Sequence, residues 1–163
     1  MRDNPPTFIS QQPARGWWYD VNETKYGKYI ITEPDVSPLP YGVRAEERTG
    51  YTRARGYINN RVLENAECFT GLIWVYEMPT PNPWVEEHTH PFDEVMFFIG
   101  NDPHNIEDLG GEVEIKLGDE IHTINKTAAV FVPKGLTHAP IWYKRVDRPH
   151  MFVGIGLGTG EYR

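Results

Sequence analysis

From Tyr57 onward the chain alternates short apolar segments with turn-forming residues, and this pattern restricts the possible folds more than any other feature. The segments are rich in β-branched and aromatic residues and are bounded by Gly, Pro, Asn and Asp, which is typical of β-strands. They cover residues 69–77, 84–90, 94–100, 112–117, 121–124, 130–132, 138–144 and 151–157. Many short strands of this kind predict an all-β antiparallel sandwich or barrel.

The predicted strands differ in the polarity of their faces. Residues 112–117 alternate between charged and apolar side chains, which predicts one solvated and one buried face. Residues 94–99 are apolar on both faces apart from Glu94, so another part of the protein is expected to cover the outer face. Met96 and Phe98 share a face with Glu94 and are expected to line an apolar substrate pocket.

Residues 1–52 are rich in proline and show no sustained periodicity, which predicts an N-terminal arm preceding a barrel domain of residues 53–163. The aromatic run Trp17-Trp18-Tyr19 would be costly to leave in water. We therefore expect the arm to pack on the barrel or on another subunit, and we expect a homodimer.

The composition limits the class of protein. At 163 residues and 18.8 kDa the chain is one domain that can bury a core without disulfides. One cysteine and no apolar leader predict a cytoplasmic location, and no apolar run approaches the roughly 20 residues of a membrane span. A net charge of -7 argues against nucleic-acid binding. The local group of Arg44, Arg48, Arg53 and Arg55 is interleaved with glutamates, which favours a self-paired solvated face over a carboxylate-binding site.

His88, His90 and Glu94, followed at a distance by His138, supply the parts of a transition-metal site. In an extended chain every second side chain points to the same face, so His88 and His90 can offer two imidazoles side by side. A bend after His90 can return Glu94 to the same centre, and a Pro-x-Gly turn can deliver His138 from a distant strand. Satisfied surface or core histidines are the alternative.

The two segments resemble the metal-binding motifs of the cupin superfamily, HxHxxxE at residues 88–94 and PxGxxH at residues 133–138. The resemblance covers about residues 84–142. It implies a cupin-type antiparallel β-barrel, also called a double-stranded β-helix or jelly roll, in which His88, His90, Glu94 and His138 bind one divalent transition-metal ion.

The chain departs from the cupin pattern at positions that are not ligands. Asn82 and Thr127 stand where the pattern has glycine. Trp142 stands where it often has asparagine, and we expect Trp142 to join Met96 and Phe98 in the substrate pocket. Residues 101–111 lengthen the segment between the motifs.

Nitrogen and oxygen donors fit iron, manganese, zinc, nickel, cobalt or copper. An ion with open coordination positions can polarise a substrate oxygen or, if redox-active, bind dioxygen. We therefore expect a metal-dependent enzyme acting on a small oxygenated substrate, such as an enolisable ketone, phenol or carboxylic acid, by Lewis-acid isomerase or lyase chemistry. An iron-dependent dioxygenase and a non-catalytic cupin that binds a small ligand are the alternatives.

The candidate proton-transfer residues are Glu86, Tyr76, His122 and His150. Glu86 shares the alternation of the two motif histidines, whereas the other three are separated from them in the sequence. A hydrolase with a serine or cysteine nucleophile is not indicated, because the chain lacks a Gly-x-Ser-x-Gly elbow and Cys68 has no adjacent base.

Overall fold

The computed structural model describes residues 24–36 and 48–161. The chain divides into two compact units, residues 1–30 and 31–163. The described part of the first unit contains a 3-10 helix, Gly27–Tyr29. Trp17, Trp18 and most of the predicted N-terminal arm lie outside the described residues, so the expectation for the arm stays a prediction.

The second unit is built from antiparallel β-strands. Their bounds are Thr49–Tyr51 (β1), Cys68–Thr80 (β2), Asp93–Ile99 (β3), Asp108–Leu117 (β4), Glu120–Lys126 (β5), Ala128–Val132 (β6), His138–Val146 (β7) and His150–Leu157 (β8). One sheet has the order β1-β2-β8-β3-β6 and the other β5-β4-β7. The predicted all-β antiparallel fold is confirmed. In the described residues no helix is long and apolar enough to cross a membrane.

The apolar core lies between the inner faces of the two sheets. In β3 buried residues alternate with half-buried ones, so Glu94, Met96 and Phe98 share the inner face as the sequence predicts. In β4 the same alternation places Val113 and Ile115 in the core while Glu114 is half-buried. Strands with one buried face pair in a fixed register, because a slip by one residue would turn the apolar side chains to solvent.

The chain before the first motif differs from the predicted strand at 84–90. Only His88 of this segment forms a β-bridge, and its partner is His138. Prolines precede and follow the segment, and a proline has no N–H to donate to a strand ladder. Trp84 instead packs its ring in the core, edge-on to Tyr51 and Tyr143.

Two other boundaries differ in detail. β1 precedes residue 53, the predicted start of the barrel domain, and is hydrogen-bonded to β2. The inserted segment 101–111 is partly a strand, because β4 begins at Asp108. Asp108 is joined to Arg148 at 2.5 Å, and this contact ties the start of β4 to the turn before β8.

Candidate metal centre

The two motifs are joined to each other through the backbone. His88 and His138 exchange two hydrogen bonds, each N–H donating to the other residue's carbonyl oxygen at 3.0 Å. Gly135 of the second motif donates its N–H to the carbonyl oxygen of His90 at 2.9 Å. Gly135 has φ of 80°, a conformation that glycine adopts without strain. The turn of the second motif is therefore fixed directly against the first.

A bulge in β7 turns His138 into the barrel. Leu117 of β4 pairs with His138 and Ile115 pairs with Ile141, so β7 has one more residue than β4 between these two pairs. Ala139 lies in this bulge and has φ of 60°, in the left-handed region. Because of the bulge, His138 and Ile141 both reach the interior, although strict alternation would place them on opposite faces.

Glu94 enters the same space from the start of β3. It pairs with Gly156 on one side and Val132 on the other. Gly154 and Gly156 of β8 have no side chain, and this leaves room for residues of the neighbouring strands. A Cβ on Gly154 would lie 3.3 Å from Glu94 Oε1, and one on Gly156 would overlap the ring of Phe69. Both glycines are thus explained by close packing.

Backbone carbonyls set the orientation of all three motif histidines. The Nδ1 atom of His88 lies 2.8 Å from the carbonyl oxygen of Glu86, that of His90 lies 2.7 Å from the carbonyl oxygen of Phe92, and that of His138 lies 3.0 Å from the carbonyl oxygen of Leu136. A carbonyl only accepts, so each Nδ1 carries the hydrogen that is donated. In the neutral rings the lone pair is then on Nε2, the tautomer that binds a metal ion.

The remaining donor atoms converge. One ligand atom from each of His88, His90 and His138 lies within 4.8 Å of the others. Glu94 Oε2 lies 3.3 Å from Nε2 of both His90 and His138. His138 Nε2 is fully buried and, despite its distance to Glu94, has no partner with hydrogen-bond geometry.

This arrangement fits a divalent cation. A neutral histidine that donates from Nδ1 presents a lone pair at Nε2, and a carboxylate oxygen also presents lone pairs. Two such atoms facing each other at 3.3 Å repel unless a proton or a metal ion lies between them. Three imidazole nitrogens and one carboxylate oxygen are a ligand set of borderline transition metals.

The electrostatics of the pocket bear on the protonation of Glu94 and His88. Burial by itself raises the pKa of Glu94, but when His138 and His90 carry a proton on Nε2, their hydrogen bonds and charge outweigh burial and hold that pKa below the usual value. Burial lowers the pKa of His88, so this ring is neutral at physiological pH. A carboxylate and a neutral imidazole are the species that coordinate.

Phe92 and Phe69 form an aromatic wall on one side of the centre, which the motif pattern does not indicate. The ring of Phe92 stacks on His90 with centroids 4.0 Å apart and planes 1° apart, and Phe69 packs edge-on to Phe92 at 5.6 Å. Phe92 therefore contacts His90 through both its carbonyl and its ring. His88 is half-buried, which makes it the most exposed of the three motif histidines and Glu94.

The other predicted site residues are scattered. Met96 and Phe98 follow Glu94 along the inner face. Trp142 is half-buried and alternates with the buried Ile141 and Tyr143, so it lies on the opposite face of β7 and is not brought to the pocket.

Of the proton-transfer candidates, Glu86 contacts a motif histidine through its backbone. Its side chain is exposed, and its carbonyl accepts the hydrogen of His88 Nδ1. Tyr76 is exposed on the outer face of β2, because it alternates with the buried Val75. His122 pairs with Glu120 in the exposed strand β5, and His150 is buried against Tyr143 in the core.

The structure describes Arg48, Arg53, Arg55 and Cys68. Arg48 lies over the ring of Tyr51 at 5.8 Å, Arg53 and Arg55 are exposed, and Arg44 is outside the described residues. Cys68 is a half-buried thiol without a disulfide partner.

No protein-family model matches the chain, and a search of curated proteins gave no match. Among solved structures, the chain resembles the Fe(II) form of HppE, with 19% identity, a TM-score of 0.50, and coverage of 78% of this chain and 60% of that one. A predicted oxalate decarboxylase from Thermotoga maritima matches with 14% identity, a TM-score of 0.49, and coverage of 80% and 95%. An RmlC-like cupin from Shewanella frigidimarina matches with 15% identity, a TM-score of 0.42, and coverage of 72% and 90%.

Both motifs thus lie side by side at one end of an antiparallel two-sheet barrel, in the order that the sequence predicts. The chain has the cupin fold. It spans less than two thirds of the first of these similar structures, at 60% of its length.

Proposed function

We propose that the protein is a metal-dependent enzyme that acts on a small oxygenated organic substrate by Lewis-acid isomerase or lyase chemistry. The observation that carries the proposal is the convergence of three histidine nitrogens beside the carboxylate of Glu94, with every Nδ1 already used by a backbone carbonyl. When bound, the divalent ion would polarise a substrate oxygen and stabilise negative charge that develops on it.

The surrounding residues are suited to that task. Phe92, Phe69 and Met96 exclude water from the buried side of the centre, and a low local dielectric strengthens the attraction between a cation and a developing anion. Glu94 supplies one negative charge and the histidines supply none, so the loaded site keeps a net positive charge. An anionic substrate such as a carboxylate or a phenolate is favoured by that charge.

Glu86 is the proposed proton-transfer residue. Its carboxylate is exposed, and Glu86 lies two residues before His88. The imidazole of His88 donates from Nδ1 to the carbonyl oxygen of Glu86, and this hydrogen bond fixes the orientation of the ring. A carboxylate at the open side of the centre could exchange protons with a substrate that enters past His88.

Two alternatives remain within the same site. The nitrogen and oxygen donor set fits Fe(II) as well as Zn(II) or Mn(II), which supports an iron-dependent dioxygenase. A non-catalytic cupin that binds a small ligand is supported by the scattering of Tyr76, His122 and His150 away from the centre. A cytoplasmic location is part of the proposal, and the unpaired thiol of Cys68 supports it.

The test is proton exchange at carbon. Protein loaded with Zn(II), Mn(II) or Fe(II) is incubated in D2O, anaerobically and in parallel under air, with small 2-oxo and 2-hydroxy acids. NMR follows the loss of the C3 proton signal of the 2-oxo acids and of the C2 proton signal of the 2-hydroxy acids. We expect exchange with at least one metal, its loss in Glu94→Gln, and its retention in the remote control His122→Gln. Turnover that requires dioxygen would instead support the dioxygenase, and ligand binding without turnover for any metal would support the binding protein.

A further inference from the structure

Phe92 holds the imidazole of His90 at two places. Its carbonyl oxygen accepts the hydrogen of His90 Nδ1 at 2.7 Å, and its ring stacks on the imidazole with centroids 4.0 Å apart and planes 1° apart. Pro91 lies between the two residues, and its ring fixes φ in this turn. The hydrogen bond selects the nitrogen that carries the hydrogen, and the stack fixes the plane of the imidazole. Nε2 of His90 is thereby held 3.3 Å from Oε2 of Glu94.

The ring of Phe92 is itself supported by its neighbours. Phe69 packs edge-on to it at 5.6 Å, and both phenyl rings are buried. Phe69 in turn occupies the space that a side chain at Gly156 would fill. The backbone before the stack is held as well, because Gly135 donates its N–H to the carbonyl oxygen of His90 at 2.9 Å. Phe92 is therefore a fixed surface against which His90 rests.

The stack is closer and more parallel than neutral aromatic pairs prefer. Such pairs favour offset or edge-on arrangements with centroids about 4.5–7 Å apart, because two negative ring faces repel each other. The imidazole pairs of the centre are inclined, with angles of 55°, 58° and 67° between their planes. An imidazole that donates its lone pair to a cation loses electron density, and it is then attracted to the face of a benzene ring. The contact between Phe92 and His90 is therefore better suited to a metal-bound imidazole than to a free one.

We propose that Phe92 is a positioning residue of the metal centre, whose carbonyl and ring orient His90 and whose ring face stabilises the imidazole in its metal-bound form. This role rests on the metal centre of the proposed function and adds to it a residue outside the ligand set. An aromatic contact of this kind predicts a contribution of about three- to tenfold to metal affinity.

The experiment incorporates pentafluorophenylalanine at position 92 of the full chain and measures Zn(II) affinity by competition with a chromogenic chelator. Fluorination keeps the shape of the ring and the backbone carbonyl but reverses the charge of the ring face. The matched control is the same replacement of Phe152, because Phe92 and Phe152 are both 9% exposed and Phe152 packs edge-on to Trp84 and Phe98. Circular dichroism checks that each protein is folded.

A second variant removes the ring. Phe92→Leu keeps an apolar side chain and the carbonyl that orients His90 Nδ1, but it has no ring face. In Co(II)-loaded protein the visible d–d absorption reports the geometry of the ligands. We expect this absorption to change in Phe92→Leu and to stay the same when Phe152 is fluorinated.

We expect the Zn(II) dissociation constant to rise about three- to tenfold with the fluorinated ring at position 92, to rise at least as much in Phe92→Leu, and to stay unchanged with the fluorinated ring at position 152. Unchanged affinity at position 92, or equal losses at both positions, would overturn the role of Phe92 and leave the metal centre in place. Unaltered protein that binds no Zn(II) would overturn the centre and this role together.

Discussion

Two buried histidine environments in this barrel share a local geometry and differ in what surrounds them. His138 donates from Nδ1 to the carbonyl oxygen two residues earlier, at 3.0 Å, and His150 does the same at 3.2 Å. Both have a fully buried Nε2 without a hydrogen-bond partner. The orientation of the ring by its own backbone is therefore common to the two sites.

The difference lies in the neighbours. Nε2 of His138 lies 3.3 Å from Oε2 of Glu94. The ring centroids of His88 and His90 lie 4.3 Å and 4.8 Å from that of His138. His150 stacks on Tyr143, with centroids 5.6 Å apart, and no carboxylate pairs with it in the described residues. The comparison indicates that orientation by the backbone is not enough for a metal site: His138 is positioned to bind a metal because a carboxylate and two further imidazoles lie beside it. Without such neighbours, His150 is a structural histidine.

Loss of a ligand should have the largest effect. His138→Ala removes one of three nitrogens, and we expect Zn(II) affinity to fall about a thousandfold, since loss of mere outer-sphere partners already costs 10- to 100-fold. His150→Phe removes the other buried Nε2 and should leave the affinity unchanged. Competition titration with a chromogenic chelator measures both, and equal losses in the two variants would remove the distinction between the sites.

Metal binding should also stabilise the fold. With free Zn(II) at 100 times its dissociation constant, the free energy of unfolding should rise by about 2.7 kcal/mol. The rise should persist in His150→Phe and vanish in His138→Ala. Chemical denaturation with and without Zn(II) provides the measurement, and a wild-type protein insensitive to the ion would count against the centre.

The stability of the metal-free protein should depend on pH through His150. Burial lowers the pKa of His150, so the unfolded chain binds a proton more readily than the folded one. The contribution of neutral His150 to the free energy of unfolding is complete above the ordinary histidine pKa of about 6.5. It is lost as pH falls from there towards the lowered pKa of the folded state, by at most about 1.4 kcal/mol per pH unit. Burial also lowers the pKa of His88, so the two histidines act in the same direction.

The variant His150→Phe separates the two histidines. It should flatten part of the slope between pH 6.5 and the start of carboxylate titration near pH 4.5. The pKa of Glu94 is lowered, so that residue loses its contribution only at still lower pH. Urea unfolding at a series of pH values measures this slope. If the unfolding free energy of His150→Phe depends on pH as strongly as that of the unaltered protein, the dependence comes from His88 and not from His150.

The smallest effect is expected beside His150. The hydroxyl of Tyr143 is buried without a hydrogen-bond partner, and burial alone raises its pKa. Tyr143→Phe removes a polar atom that makes no compensating bond, so stability should change by less than about 1 kcal/mol. A loss above about 2 kcal/mol would mean that the hydroxyl has a hydrogen-bond partner, such as an ordered water beside His150.

The sequence allowed the convergence of the motif histidines and Glu94 to be predicted better than their surroundings. Alternation along β3 placed Glu94, Met96 and Phe98 on one face correctly, because strand periodicity is local. The expectation that Trp142 lies in the pocket rests on its position after the second motif and not on alternation. The bulge at Ala139 shifts the alternation of β7 after His138, and Trp142 lies on the face opposite Ile141.

The sequence motifs do not indicate the aromatic wall of Phe92 and Phe69, because it too depends on tertiary structure. Phe92 is an unspecified position within the first motif and Phe69 is 19 residues before His88, so their contact depends on how β2 and β3 flank β8. The segment 84–90 alternates as a strand does, yet the packing of Trp84 in the core and the neighbouring prolines prevent a ladder. Such features arise from tertiary packing, which a local pattern does not encode.

The most direct test of the central claim is X-ray absorption spectroscopy at the metal edge of Zn(II)- or Co(II)-loaded protein. The structure predicts one ion per chain with three imidazole nitrogens and a carboxylate oxygen at about 2.0–2.2 Å. The imidazole signal should fall to two rings in His138→Ala and stay at three in His150→Phe. A spectrum with fewer than three imidazoles in the unaltered protein, or one that His138→Ala leaves unchanged, would contradict the assignment of His88, His90, Glu94 and His138 as the metal centre.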